Sequence, residues 1–557
     1  MNRLLLTLFA LCSYFGLQAQ SAMAPTDAWY YNLVQRLEIK SGQLSPYFHS
    51  SIQPISREQL AKFAVKYPVS GNRLGVGDYR LLDYLLLDNA DWSGSELGKR
   101  KPLFGFIYPS QLAILSHKSE DFEVFVNPIL NLQAGRDWGQ SEDLYTNTRG
   151  VEVRGSISKK LGFYTMFTEN QTRAASYLRD QTSLAKGVFP SAGLTKGFKG
   201  NGYDFLQARG YITFTPIKNI HMQFGHDRNF IGDGYRSMIL SDFGKEYLFL
   251  KVNTKVWKLN YQNLFAEMVS DRGSDFTFTK KKYIAMHHLS MNLFKNLQVG
   301  LFETIVFDRT DSNGVNRGFE LNYLNPIIFY RSVEHGLNSS DNAMIGTNFK
   351  WNFLKRFSLY GQLTLDELKF GEYTDNKGWW GNKYAAQLGL KYVDAFFIPN
   401  LDAQYEFNVV RPYTFTHFKT SQNYTHFNTP LGHPLGANFR EHIAILRYRT
   451  LKKLHLHLIW IHNEKGLDND TSNWGGNILT KTYLDREQEY GNNIAQGILQ
   501  KTNIVELQAS WMVFHNVWIE AAWLFREARI KELESIQKNH IFRLGFRMNI
   551  AQPRQLF

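Results

Sequence analysis

The chain's last stretch, His540–Ile550, alternates residue by residue. Phe542, Leu544, Phe546, Met548 and Ile550 share one side, and Ile541, Arg543, Gly545, Arg547 and Asn549 share the other. Side chains of a β-strand point alternately to its two faces, so this is a strand pattern. It recurs in Phe357–Asp366, Tyr384–Tyr392, Leu401–Val409, Leu454–Leu458 and Val505–Trp511, each with one mainly aliphatic or aromatic face and one richer in polar groups. A soluble sandwich strand shows the same alternation, but the two arginines on the last polar face discriminate. An Arg facing lipid near the midplane costs about 2–4 kcal/mol, whereas facing a wet lumen it costs little. The pattern predicts an all-β chain: a transmembrane antiparallel β-barrel.

The first hundred residues read differently. Asp27 is placed to cap a helix through Trp29, Leu33, Val34 and Leu37. Ser56 with Gln59 forms a capping box ahead of Leu60, Phe63 and Ala64. Tyr79–Leu87 is a third helical stretch, and the loops Ser41–Pro54 and Ser70–Gly77 separate the three. We therefore expect a signal peptide over residues 1–19, a periplasmic helical domain over 20–102 and an outer-membrane β-barrel over 103–557.

The turns set the topology. Tight basic or Asn-containing turns are predicted at Lys159-Lys160, Lys218-Asn219, Asn253–Lys255, Lys295-Asn296, Lys355-Arg356, Pro399-Asn400, Lys452-Lys453 and His515-Asn516. Long polar connections run between them, including Gln171–Asp204, Phe307–Asn342, Arg411–Arg440 and His462–Gln500. Short turns at one end and long loops at the other are the mark of outer-membrane barrels, with the short end periplasmic. Eight turns join sixteen strands; a first strand near Phe122–Leu132 and the closing strand bring the expected number to about 18. Phe104–Leu115 is left over as a pre-barrel hairpin.

Composition supports this reading. Aromatics make up 15% of the 557 residues, which suits girdles at two membrane interfaces. After the N-terminus no uncharged apolar run reaches the ~18 residues a spanning helix needs. At the start, Arg3, the apolar run Leu4–Leu17 and Leu17-Gln18-Ala19 form a secretory signal with a small-residue cleavage site. The single cysteine, Cys12, lies inside that run behind the bulky Leu11, which argues against lipidation. The mature chain then has no thiol or disulfide. A net charge of +13 suits acidic glycans, lipopolysaccharide phosphates or simply basic turns and lumenal arginines. Nucleic acid is not an expected partner of an exported barrel.

Candidate chemistry concentrates in Gly225–Ser241, on the long-loop side. Gly232 and Gly234 permit tight turns, while Asp227, Arg228, Asp233 and Arg236 crowd both charge signs together beside Asn229 and Tyr235. These charges either bind sugar hydroxyls and carboxylates or pair to fold the loop into the lumen. No Lys-Ser/Thr helix follows Gly232-Asp233-Gly234, so it is not a phosphate loop. Trp379, Trp380 and Asn382 suit sugar stacking and hydrogen bonding, and suit an interface girdle equally well. The long loops also carry Arg411 and Arg440.

The histidines invite a metal reading. His287 and His288 point to opposite strand faces, and His455 and His457 share one without an acidic third ligand nearby. His417, His426, His433 and His442 spread across one long loop. Neither a metal nor a cofactor is expected. Ser290 with His288 is the best hydrolase pairing, and it lacks an orienting third group; the chain is expected not to be an enzyme.

The stretch around Gly232-Asp233-Gly234-Tyr235-Arg236-Ser237 resembles the hallmark of the Wzi-type capsule assembly family in its Bacteroidetes form. The likeness continues through Trp257–Leu264, Gly318–Pro326, Gly378–Lys383, Val410–Thr414 and His433–Asn438, covering most of the barrel. The resemblance implies an 18-stranded outer-membrane barrel with a periplasmic helical part that acts as a lectin for capsular polysaccharide. The candidate residues for a polysaccharide site or a lumenal charge network are Asp227, Arg228, Asn229, Asp233, Tyr235, Arg236, Trp379, Trp380 and Arg411. A Bacteroidetes branch, the RemB-type proteins, is associated with gliding motility. Extracellular or capsular polysaccharide and outer-membrane lipid or lipopolysaccharide are the expected partners of a monomeric protein. A porin and a motility or adhesion component are the competing functional classes.

Overall fold

The computed structural model describes residues 21–26, 28–67, 74–93, 113–270, 280–308, 318–327, 341–450 and 453–552, with Phe329, Tyr330, Ser332 and Gly336. The signal, Cys12, the Asp27 cap and nearly all of Phe104–Leu115 lie outside the described residues.

Eighteen antiparallel strands close into a barrel. They are β1 (Phe122–Asp137), β2 (Glu142–Ile157), β3 (Leu161–Arg173), β4 (Gly202–Ile217), β5 (Ile220–Asp227) and β6 (Tyr247–Val256). Next come β7 (Leu259–Val269), β8 (Lys281–Asn292), β9 (Leu297–Asp308), β10 (Asn342–Phe353), β11 (Phe357–Glu367) and β12 (Lys383–Tyr392). The last six are β13 (Leu401–Val410), β14 (Phe439–Arg449), β15 (Leu454–Leu467), β16 (Ile498–Phe514), β17 (Val517–Ile530) and β18 (Ser535–Met548). The ring closes where Ile541–Met548 of β18 pair with Leu130–Asp137 of β1. A short arm, Leu115–Lys118, pairs with Glu123–Val126 on the same edge of β1, in line with β18.

The alternation resolves into lipid and lumen faces. On β13, Asp402, Gln404, Glu406 and Asn408 are buried inside while Tyr405 is exposed outside. On β18, Phe542 and Leu544 face outward, and Arg543 and Arg547 turn inward onto Glu506 and Glu520 at 2.7 and 2.8 Å. Near the short turns Trp351, Phe353, Phe357 and Tyr392 stack in a row at 4.5 to 5.3 Å, one arc of an aromatic girdle. An apolar outer band with these features is a membrane-spanning wall, and the protein is an outer-membrane barrel.

Two details differ from the expected topology. Asn253–Lys255 lies within β6, and the tight turn is Trp257-Lys258, because the strand keeps pairing to Val256↔Leu259. Two connections at the long-loop end are also short, 138–141 and 531–534, since β1–β2 and β17–β18 are long hairpins flanking the closure.

The three main N-terminal helices are α1 (Ala28–Ser41), α2 (Arg57–Lys66) and α3 (Val76–Asp88), as the periodicity predicts, except that Val76 and Gly77 belong to α3 rather than to the loop before it. Ser56 caps α2 by accepting from the Gln59 N–H at 3.2 Å. Val34, Leu37, Leu60, Ala64 and Leu85 form their shared core. The helices are also fastened to the barrel. Arg36 bonds Asp394 at 2.6 Å, Tyr84 donates to Asn516 at 2.6 Å, and the Leu44 N–H donates to the Lys295 carbonyl at 2.7 Å. They therefore sit against the short-turn end. From them, residues 45–55 rise into the lumen, where Ile52-Gln53 pairs with Phe230-Ile231 of the β5–β6 connection.

Candidate functional site

The connection between β5 and β6 turns inward and is clasped to the barrel wall. Glu406 on β13, fully buried, accepts the Tyr235 and Arg236 backbone N–H groups at 2.7 and 3.0 Å. The Tyr360 hydroxyl donates to the same carboxylate at 2.8 Å, and Gln387 and Asn408 donate at 3.2 and 3.0 Å. A carboxylate with that many donors is a strong anchor for a turn. Gln362 on β11 adds a second, accepting the Met238 N–H at 2.7 Å and donating to the Ile231 carbonyl at 2.9 Å.

This explains the glycines. A Cβ on Gly234 would lie 2.5 Å from Glu406 Oε2 and 2.8 Å from the Arg236 carbonyl. Only a residue without a side chain lets the loop approach the anchoring carboxylate.

The four charges singled out in this stretch each find a counter-charge, three on other strands and one, Glu246, at the end of the same connection. Asp227 lies 3.7 Å from Arg209 of β4, Arg228 2.7 Å from Glu246, Asp233 3.3 Å from Lys350 of β10, and Arg236 3.3 Å from Glu441 of β14. Asn229 accepts from Lys251 and donates to the Tyr247 hydroxyl. Tyr235 is buried, and Arg236 packs over its ring at 5.0 Å. Burial pushes the Glu246 carboxyl up, but the Arg228 and Arg209 charges outweigh it and hold the group at about 2. Lys350 also bonds Glu38 of α1 at 2.9 Å, so loop, wall and helices form one charge network. Of the two roles open for this stretch, the geometry supports lumenal folding: Asp227, Arg228, Asn229, Asp233, Tyr235 and Arg236 all lie at or below about a tenth exposure or pack inside the lumen.

Trp379, Trp380 and Arg411 assemble elsewhere, at the long-loop end. Both indole N–H groups donate to Glu489 Oε1 at 2.9 Å. The Gly491 and Asn492 N–H groups bond the Lys377 and Gly378 carbonyls at 2.8 and 2.9 Å, zipping the β11–β12 loop to the β15–β16 loop. Arg486 stacks over Trp380 at 4.5 Å, Tyr483 packs against it at 4.8 Å, and Lys369 lies over Trp379 at 5.6 Å. Arg411 supports the cluster from beneath, donating to the Trp379 and Asn492 carbonyls. Trp380 is buried and Trp379 half-exposed. The result is an outward aromatic and cationic surface on a rigid base.

Histidine positions refine the expectations. His442 belongs to β14 and points outward to Tyr405, because alternation sets it opposite the inward Glu441. His433 bonds Glu441 at 2.6 Å. His426 accepts from the Val269 N–H at Nδ1 and so donates from Nε2 to the Glu246 carbonyl, a neutral imidazole whose pKa burial pushes down to about 3. Ser290 and His288 do share the lumenal face, but the partner of Ser290 is His49 at 2.7 Å, while His288 meets Asn348 at 2.9 Å. The N-terminal segment brings His49 in from a distance in sequence that no motif spans.

The sequence reading missed the anchors Glu406, Glu441, Lys350 and Glu246; for Glu406 and Glu441 an inward-facing carboxylate on a barrel strand was the one visible sign. It also missed a segment on the outer wall. Phe319, Tyr323 and Tyr330, from the β9–β10 connection, pack on outward residues of β7–β9, with the Tyr330 ring 4.0 Å from His287 and Tyr323 4.9 Å from Phe307. They cover Asn263, His287 and Glu303, outward polar groups left only 3%, 7% and 8% exposed. Leu321, Ile327 and Phe329 project from the segment's far side.

No protein-family model matches the sequence, and no curated protein matches it. Among solved structures the chain is similar to Wzi of Escherichia coli, described as an outer-membrane carbohydrate-binding β-barrel involved in group 1 capsule assembly. That match has 13% identity and a TM-score of 0.57, covering 96% of this chain and 100% of that one. OprD of Pseudomonas aeruginosa aligns at 10% identity over 76% of this chain and 94% of its own, with a TM-score of 0.42. OccAB2 of Acinetobacter baumannii aligns at 8% identity over 76% and 97%, with a TM-score of 0.42. The likeness to Wzi is one of fold.

Proposed function

We propose that this protein binds extracellular or capsular polysaccharide and supports capsule assembly or retention at the cell surface, as a monomer and without bond-making chemistry. The observation that carries the reading is the long-loop surface built on Trp379 and Trp380. The half-exposed Trp379 indole offers a face for a sugar ring over Tyr483 and the buried Trp380, and Lys369 and Arg486 place cationic groups beside it, with both indoles and Arg486 held by Glu489. The inward loop beneath it supports retention over passage, since the β5–β6 connection and the N-terminal segment meet across the lumen. The fold likeness to a barrel described as carbohydrate-binding and the net charge of +13 agree with an acidic glycan ligand. In this reading the chain resembles the Bacteroidetes form of the Wzi-type family, the helices lie in the periplasm, and the wall sits among lipid and lipopolysaccharide.

A deletion strain, its parent and a strain carrying Trp379→Ala test the proposal through cell-bound against shed polysaccharide. Shedding in both altered strains, with barrel assembly of the variant intact, is expected. Unchanged retention together with lost surface movement would reject the capsule role in favour of a motility or adhesion component. Large stable conductance from the wild type in planar bilayers would favour a porin.

A further inference from the structure

Beside the clasped loop the lumen keeps an open chamber of about 410 Å³, bounded by the N-terminal segment, by β1–β4 and by β14–β18. That volume suits a ligand of one or two sugar units. Nine arginines and five carboxylates line it, and no lysine does. Several of the arginines are neutralised: Arg543 by Glu506 at 2.7 Å, Arg449 by Asp402 at 2.5 Å, and Arg57 by Asp88 at 2.7 Å.

Three are not: Arg154 on β2, Arg173 on β3 and Arg447 on β14 have no carboxylate within ion-pair distance among the described residues. Arg173 lies at the long-loop end and donates to the Lys199 carbonyl at 3.2 Å, whereas Arg154 and Arg447 sit in the short-turn half of the wall. Arg154 is 5% exposed, touches the Phe125 ring at 5.5 Å, and its Nε has no hydrogen-bond partner. Arg228 Nε, Arg173 Nε and the Tyr145 hydroxyl, also on the chamber lining, are buried without partners too. Leaving a buried cation unpaired is costly, and an orphaned donor carries the full desolvation penalty. A chamber whose unmet groups are nearly all donors, most of them guanidinium, calls for an acceptor-rich anion. The planar guanidinium fork matches carboxylate and phosphate oxygens in pairs.

We propose that this chamber is a binding site for a sugar-sized anion, a uronic acid or a sugar phosphate, held by Arg154 and Arg447. The site is separate from the Trp379–Trp380 surface and stands whether or not that surface binds polysaccharide.

Calorimetric titration of the full-length protein in detergent micelles tests it, with D-glucuronate, glucose 6-phosphate and D-glucose as probes. At least one acidic probe binds and glucose does not; the acid that binds identifies carboxylate or phosphate as the natural group. Arg154→Gln and Arg447→Gln each weaken binding by tenfold or more, while Arg154→Lys retains part of it. Arg154→Met abolishes binding without lowering the melting temperature, because it removes an unpaired charge from the interior. Arg447 is half-buried, so its variant keeps the test alive if changes at Arg154 impair assembly. The proposal is overturned if neither acid binds the wild type, or if a folded R154Q/R447Q double variant binds as the wild type does. It is also overturned if Arg440→Gln, on the outer surface, weakens binding equally, since the effect would then be surface attraction.

Discussion

Replacing Glu406 with Ala should release the inward loop without dismantling the barrel. The carboxylate accepts the Tyr235 and Arg236 N–H groups from the loop, and its other donors, Tyr360, Gln387 and Asn408, belong to the wall. A hydrogen bond to a charged group contributes roughly 1.5–3 kcal/mol, so the two loop bonds amount to about 3–6 kcal/mol of docking energy. At about 1.4 kcal/mol per factor of ten, the open population of the loop should rise roughly 10²- to 10⁴-fold. Global stability should fall by less, because removing Glu406 also removes the burial cost of its charge. Hydrogen exchange followed by mass spectrometry on peptides covering 230–240 reads the open population directly. Glu406→Gln keeps one acceptor oxygen and should fall between the two, and Glu464→Ala, removing a carboxylate that pairs with Arg440 at the barrel's rim, is the control. Wild-type exchange across 230–240 in a folded Glu406→Ala barrel would refute the anchoring role.

Gly234→Ala should impair assembly more than any other single methyl in the loop, since its Cβ would sit 2.5 Å from Glu406 Oε2; heat-modifiable gel migration would show an unfolded fraction, and normal migration would count against the close approach. The Glu246 carboxyl is depressed from its ordinary 4.5 to about 2, so its contribution to stability is complete above pH 4.5 and is lost as pH falls through 2. Unfolding midpoints of the wild type should therefore drop across that window, and Glu246→Gln should flatten the slope there. Tyr330→Ala uncovers Glu303 and His287 on the outer wall and should destabilise the barrel by a few kcal/mol, more in liposomes than in detergent, where water reaches the patch. Equal loss in both media would mean that the segment contributes packing alone.

The barrel and its inside were legible from the sequence. Lipid and lumen select each residue of a strand independently, so period-two alternation and the inward arginines of β18 report the environment locally, and tight turns count strands without any knowledge of pairing. Even there the β6–β7 turn slipped, because Asn253–Lys255 has turn composition while the register keeps it in a strand. The site was legible only in part. The crowding of charge around Gly232 and Gly234 marked the loop, yet its partners Lys350, Glu406 and Glu441 lie up to 205 residues away and become neighbours through barrel closure and strand register. For the same reason the sequence separated α1–α3 from the barrel, whereas the folded chain threads Ile52-Gln53 up to meet Phe230-Ile231. The cover over Glu303 and the unpaired Arg154 were equally hidden. A side chain's rotation onto a face follows from its position in the strand, but which group lies opposite it across a lumen or over a wall depends on three-dimensional closure, and only the tertiary structure decided that.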